Sequence, residues 1–334
     1  MRVAIVDQGT NSTRLLLARI EGGRIAKSQR FTTVTRLGQG VDEHHRLDPE
    51  AMVRTRAVIA GFVAEIVAYK PHRSLLVATS VLRDARDGHD FLDDLGESFN
   101  LAHRVIDGPE EAALSFRAAA AAFPDITGRL VVVDIGGGST EFSVGPSACA
   151  APPGAGQPAG ASVPCDLATP TAPCDLATPT WLCSLDVGVV RVNERFFAAD
   201  PPSAEQWQAA AAFVREQFAG GVPAAEREVS AVVGVSGTFT TLVAHKLRLR
   251  DYDSARVHGH VLTLADIEAA QTAFRRMTSA QRGELPGIQP GREDVILAGT
   301  LLAAEACRLF GLAEVRVSEA DLLDGTALWL AEQP

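Results

Sequence analysis

One pattern occurs twice in this chain, 127 residues apart, and that repetition limits the fold more than any other feature. The second copy is Val132-Val-Asp-Ile-Gly-Gly-Gly-Ser-Thr-Glu141, preceded by Leu130 and Val131. Its short continuous apolar run is the pattern of a strand buried on both faces. Three glycines between apolar runs allow two readings. One is a plain hairpin turn. The other is a loop whose bare backbone N–H groups close around an anion, with the Asp134 and Glu141 carboxylates placed to hold a metal or a water. The first copy, Val3-Ala-Ile-Val-Asp7-Gln-Gly9-Thr-Asn-Ser12-Thr13-Arg14, has the same order of strand, Asp-x-Gly and hydroxyl pair. Asp7 aligns with Asp134, Gly9 with Gly136, Ser12 with Ser139 and Thr13 with Thr140, and Arg14 stands where the second copy has Glu141. A spacing this long is not a solenoid repeat; it fits two domains of one design, each offering a hairpin loop to a shared cleft.

With 334 residues, 46% of them hydrophobic, the chain is long enough for two such cores. A formal charge of −10 argues against a general nucleic-acid binder, which needs a basic face. An anionic substrate needs only local cations. Lys27, Lys70 and Lys246 are the only lysines among 31 basic residues, so arginine, the side chain suited to forked phosphate contacts, supplies nearly all positive charge. The same bias also arises from coding preference. The first strand begins without a charged-then-apolar leader and no apolar run approaches a membrane span, so a cytoplasmic protein without membrane contact is expected. Five cysteines form no CxxC pair, and neither a disulfide framework nor a zinc site is suggested.

Along the chain, Asp48-Pro49-Glu50 predicts the start of a helix running to about Tyr69. Leu75–Ala78 is a buried strand, and Arg83 follows its carboxyl end, where ligands of α/β sheets bind. Spacing alone leaves Arg83 equally suited to a phosphate and to an ion pair with Asp84 or Asp87. Asp107-Gly-Pro-Glu110-Glu111-Ala112 opens a helix to about Phe123, and two acids there also satisfy the helix dipole. Helical spacing does not decide which acid faces a cleft. Pro146–Thr180 holds eight of the 18 prolines and a tandem Pro-Cys-Asp-Leu-Ala-Thr-Pro-Thr, so 146–180 is expected to be a tolerated, disordered surface insertion. Arg191, leaving a strand for a helix, is a further candidate to meet an anion. Val232–Leu242 predicts strand, turn and helix, with Ser236, Gly237 and Thr238 at the turn in a third anion-binding geometry. The expected boundaries are 1–124 and 125–319, with a closing helix over about 320–332 as a candidate to pack back on the first domain.

Five motifs in order carry a resemblance over nearly the whole chain: Asp7–Leu15, Ala78–Ala85, Gly108–Ala112, Asp134–Glu141 and Gly234–Thr241. Together they resemble the exopolyphosphatase and guanosine pentaphosphate phosphatase family. The resemblance implies the actin, Hsp70 and sugar-kinase fold, which is ribonuclease H-like: two α/β domains, each with a mixed five-stranded sheet, and an interdomain cleft. It also implies that the second acid of Gly-x-Glu-Glu-Ala, Glu111, is catalytic, with Glu141 beside the water. Asn11, Ser12, Arg83, Gly136, Gly137, Gly138, Ser139, Thr140, Arg191, Ser236, Gly237 and Thr238 are the expected phosphate contacts. Asp134 and its counterpart Asp7 are the expected carboxylates for Mg²⁺ or another divalent cation. Two features depart from the family pattern: the proline-rich insertion, and a chain that stops after two domains without the helical extension of longer members.

The activity expected is hydrolysis of the terminal phosphate of inorganic polyphosphate, with pppGpp as the alternative substrate of the same chemistry. From other classes, the cleft suits an ATP-dependent kinase or ATPase, or a non-catalytic polyphosphate or alarmone sensor. A homodimer is left open.

Overall fold

The computed structural model describes residues 1–147 and 177–333. Most of the expected insertion, 148–176, therefore lies outside the described residues. The first sheet is built from β1 (Arg2–Gln8), β2 (Ser12–Glu21), β3 (Arg24–Val34), β4 (Arg73–Ala78) and β5 (His103–Val105). The second contains β6 (Arg129–Ile135), β7 (Thr140–Pro146), β8 (Trp181–Leu185), β9 (Ala231–Val235), β10 (Val261–Thr263) and β11 (Glu314–Val317). Their spatial orders are β3-β2-β1-β4-β5 and β10-β11-β9-β6-β7-β8. Each sheet is thus an antiparallel meander extended by parallel strands, and the two meanders match the sequence repeat. The second sheet has six strands rather than the expected five, because Val261–Thr263 adds antiparallel to β11 at the edge.

The apolar runs form strands because both faces are covered. Successive residues of a strand point to opposite faces. Ala4 and Val6 accordingly enter one core with Ile59, Phe62 and Phe91, while Val3 and Ile5 enter another with Leu322, Leu323 and Ala327. The second core is closed by the last helix, Leu322–Glu332, which returns to the first sheet. Asp48 caps the helix Pro49–Tyr69 by accepting from the Ala51 amide at 2.8 Å. Ser203 caps Ala204–Gly221 through a reciprocal capping box. Among the described residues no helix is long and apolar enough to cross a membrane.

The helix Gly108–Ala122 matters most for the cleft. Its fully buried Phe116 and Ala119 pack with Leu130, Val132 and Val233 of the second sheet, while Leu114 joins the core of the first. This helix therefore bridges both sheets and fixes their separation. Phe116→Ala removes the largest side chain of that bridge and is expected to destabilise the protein by about 3–5 kcal/mol, measured by denaturant unfolding.

Candidate active site

The two hairpin turns meet across the cleft. In β1/β2 the register opposes Asp7 to Arg14, and in β6/β7 it opposes Asp134 to Glu141. A Cβ on Gly138 would lie 2.4 Å from Ser80 Oγ, and one on Gly137 would lie 2.8 Å from Thr10 Cβ. The glycines therefore let the second turn approach the first and the Thr79-Ser80 turn at distances that side chains forbid. Between the turns lies a cavity of about 90 Å³. Of the expected residues, Asp7, Asn11, Ser12, Glu111, Asp134, Gly136, Gly137, Ser139, Ser236, Gly237 and Thr238 line it.

The helix phase selects between the adjacent acids. Asp107 accepts from the Glu110 amide at 2.8 Å and sets the first turn. Glu110 then turns to Arg104, whereas Glu111 is 8% exposed and faces the cavity. Arg83 Nη1 donates to Glu111 Oε2 at 3.3 Å and to the Ile106 carbonyl at 2.6 Å. Neither reading of Arg83 named this partner: Asp84 binds Arg191, and Asp87 accepts from the Leu47 amide.

Three buried carboxyls, Asp7, Glu111 and Asp134, line this small volume, and a fourth, Glu141, is buried opposite Asp134 in the hairpin, so their ionisation is suppressed. Burial, with Glu141 and Asp134 nearby, raises Glu111 well above the usual carboxylate range, and Arg83 opposes the shift. Burial and Asp134 push Glu141 up to about 8, against hydrogen bonds from Ser139 and Ser184. Burial also raises Asp134, and it raises Asp7 against the opposing charge of Arg14.

Thr140 and Arg191 sit away from the cavity. Thr140 Oγ1 donates to the Val187 carbonyl. Arg191 ion-pairs with Asp42 and, at 2.6 Å, with Asp84, and donates to the Gly138 carbonyl, so it ties the glycine turn to the first sheet's loops. Two cations on the cavity wall were not among the expected site residues. Arg14 bonds to Asp7 and to Asp321, the cap of the last helix. Arg292 has no carboxylate within ion-pair distance among the described residues; its Nε donates to Gln289 at 3.3 Å. Burial and the neighbouring Arg14 lower its pKa. Gly237 makes room for it, since a Cβ there would lie 1.7 Å from Arg292 Nη1. The sequence held a signal for Arg14, which occupies a motif position. Arg292 followed a Gly-Ile-Gln-Pro-Gly turn and read as a helix start.

Asp7 Oδ1 and Glu141 Oε2 are buried without hydrogen-bond partners, so both have a free lone pair for a cation or a water. No three His, Cys, Asp or Glu side chains among the described residues form a protein-only metal cage. These carboxylates fit the binding habit of Mg²⁺, which takes one or two carboxylates and completes its shell with phosphate oxygens and water.

Paired mixed α/β sheets with facing glycine-bearing turns around a cluster of buried carboxyls define an actin-like scaffold. The chain belongs to the Ppx/GppA phosphatase family, whose model matches residues 16–332. It is 35% identical to "Exopolyphosphatase 2" of Mycobacterium tuberculosis, over 99% of this chain and 98% of that one. Among solved structures, an exopolyphosphatase-like protein superposes with a TM-score of 0.84 at 33% identity, covering 98% of both chains. The Aquifex aeolicus member of the family superposes with a TM-score of 0.76 at 28% identity, covering 99% of this chain and 97% of that one.

Two pH effects follow. A carboxyl with a raised folded pKa adds stability below its ordinary value and loses it as pH rises through the folded one. Melting of the ligand-free protein should therefore fall as pH is raised toward about 8, and Glu141→Gln should flatten that fall. Arg83 lowers the Glu111 pKa, so Arg83→Ala should move the acid limb of the kcat/KM profile to higher pH.

Proposed function

We propose that this chain is an exopolyphosphatase that releases the terminal phosphate of inorganic polyphosphate by water attack. The observation that carries this reading is Glu111, a buried carboxyl on the cavity wall, held by Arg83 and raised well above the usual carboxylate range between two phosphate-type turns. A carboxylate with raised proton affinity suits proton removal from water. The terminal phosphoryl group is bound by turn amides of Gly136, Gly137 and Ser139 and by Asn11 and Ser12, with the helix N-terminus at Ser236–Thr238 behind it. Arg292, with Arg14 beside it, neutralises its oxygens. Glu111 takes a proton as the water oxygen bonds to phosphorus, the bridging P–O bond breaks, and the shortened chain leaves with the bond's electrons. Glu141, anchored by Ser184 at 2.7 Å, orients the same water. Mg²⁺ held by Asp134 and Asp7 would supply positive charge to the phosphate oxygens. The two sheets mark two domains in this reading, 1–124 with the last helix and 125–319, closing on substrate.

The second substrate, pppGpp, is favoured by a wider adjoining cavity. It has about 400 Å³, shares Arg14, Ser236, Gly237 and Arg292 with the first, and continues to Tyr252, Thr240 and Gln289. That volume and those hydrogen-bonding groups suit a nucleoside on the far side of the phosphates.

Glu111→Gln is expected to keep the melting temperature while lowering kcat by about a hundredfold to ten-thousandfold. Phosphate release from polyphosphates of graded length, run beside pppGpp with and without Mg²⁺, measures both. Near-normal turnover by that variant, or ATP-dependent phosphorylation of an acceptor in place of phosphate release, would overturn the reading.

A further inference from the structure

Helix Gly108–Ala122 reads GPEEAALSFRAAAAA, and Ser115 is its single hydroxyl. Serine forms helix less readily than the alanines around it, and this one is 1% exposed, so neither propensity nor solvation accounts for it. A serine inside a helix often returns its hydroxyl to the carbonyl one turn earlier. Ser115 instead points outward: its Oγ donates to Asp134 Oδ2 at 2.8 Å, in a buried contact between the bridging helix and the strand that ends in the glycine turn. Residues four apart share a helix face, so Ser115 lies directly behind Glu111.

We propose that Ser115 is a positioning residue for the hydrolytic reaction, fixing the Asp134 carboxylate so that one helical turn sets both the water-activating Glu111 and the acid facing phosphate and its cation. The inference rests on the hydrolytic reading above. Its physical content is a shared reference frame. Asp134 belongs to the second sheet, whereas the phase of the helix is set by Asp107 and by packing against both cores. Without the bond, Asp134 remains on the cavity wall with its Ser236 hydrogen bond, but its carboxylate loses its tie to the bridging helix. The base and the metal-side acid then lose their fixed relation. Groups that orient a metal-binding carboxylate in this way act on affinity for the cation as well as on rate.

Two variants of the full chain separate hydrogen bonding from packing. Ser115→Ala deletes the hydroxyl, and Ser115→Cys fills nearly the same volume with a much weaker donor. Both are expected to melt close to the unaltered protein and to lose about 10–100-fold in kcat on tripolyphosphate, with KM changed far less. Mn²⁺ titration followed by electron paramagnetic resonance, with orthophosphate present, should show cation affinity weakened by a similar 10–100-fold in both. The proposal is overturned if Mn²⁺ affinity is unchanged in the alanine variant, or if the cysteine variant matches the unaltered protein in kcat and Mn²⁺ affinity. If the unaltered protein releases no phosphate from tripolyphosphate or pppGpp, the hydrolytic reading fails instead. The Mn²⁺ titration then still decides the role of Ser115.

Discussion

Like charge brought together out of water is the constraint on which the rest of the structure depends. Asp7, Glu111, Asp134, Glu141 and Asp321 are all buried around the cleft. Such a cluster persists only where the backbone bearing each acid is held independently of the cluster itself. That is what the architecture provides. β1 and β6 are covered on both faces, the bridging helix is locked into two cores, and Asp321 caps a helix packed on the first sheet. Arg14 offsets Asp7 and Asp321, and Arg83 offsets Glu111. Arg292 adds a further cation on the cavity wall.

This electrostatic arrangement also explains why the glycines are needed twice over. An anion cradle requires backbone amides without side chains in front of them. Here the same glycines also let two turns from different sheets touch, with Gly138 against Ser80 and Gly137 against Thr10. A cavity of about 90 Å³ admits little more than a terminal phosphoryl group and a few waters.

Much of the fold was legible because it is local. The paired hairpins showed as a repeat, the cap at Asp48 showed as a residue type just ahead of a proline, and buried strands showed as apolar runs. The sixth strand did not show, since three residues at a sheet edge carry no periodicity. Within the site, the turns were visible, but the side-chain partners of the arginines were not. Arg83 and Arg191 both follow strands, yet one reaches Glu111 and the other Asp42 and Asp84. Arg292 stands 278 residues from Arg14 in sequence, and only the folded chain brings the two to one cavity. Spacing alone did not separate Glu110 from Glu111; the motif resemblance pointed to Glu111, and the helix phase set by the Asp107 cap and the distant Phe116 contact turns it to the cavity.

Arg191 ties the glycine turn of one sheet to the loops of the other. Its guanidinium spans Asp42 and Asp84 on loops of the first sheet while its Nε holds the carbonyl of Gly138, the last glycine of the phosphate-type turn. Nearby, Glu194 accepts from the Gly40 amide at 3.1 Å, and Arg36 reaches Asp294 at 3.1 Å. These charged contacts are partly exposed and individually weak. The bridging helix and the last helix instead hold the sheets by buried apolar packing. The sheets are therefore joined mainly through those helices, while Arg191 fixes the position of the glycine turn against the first sheet's loops.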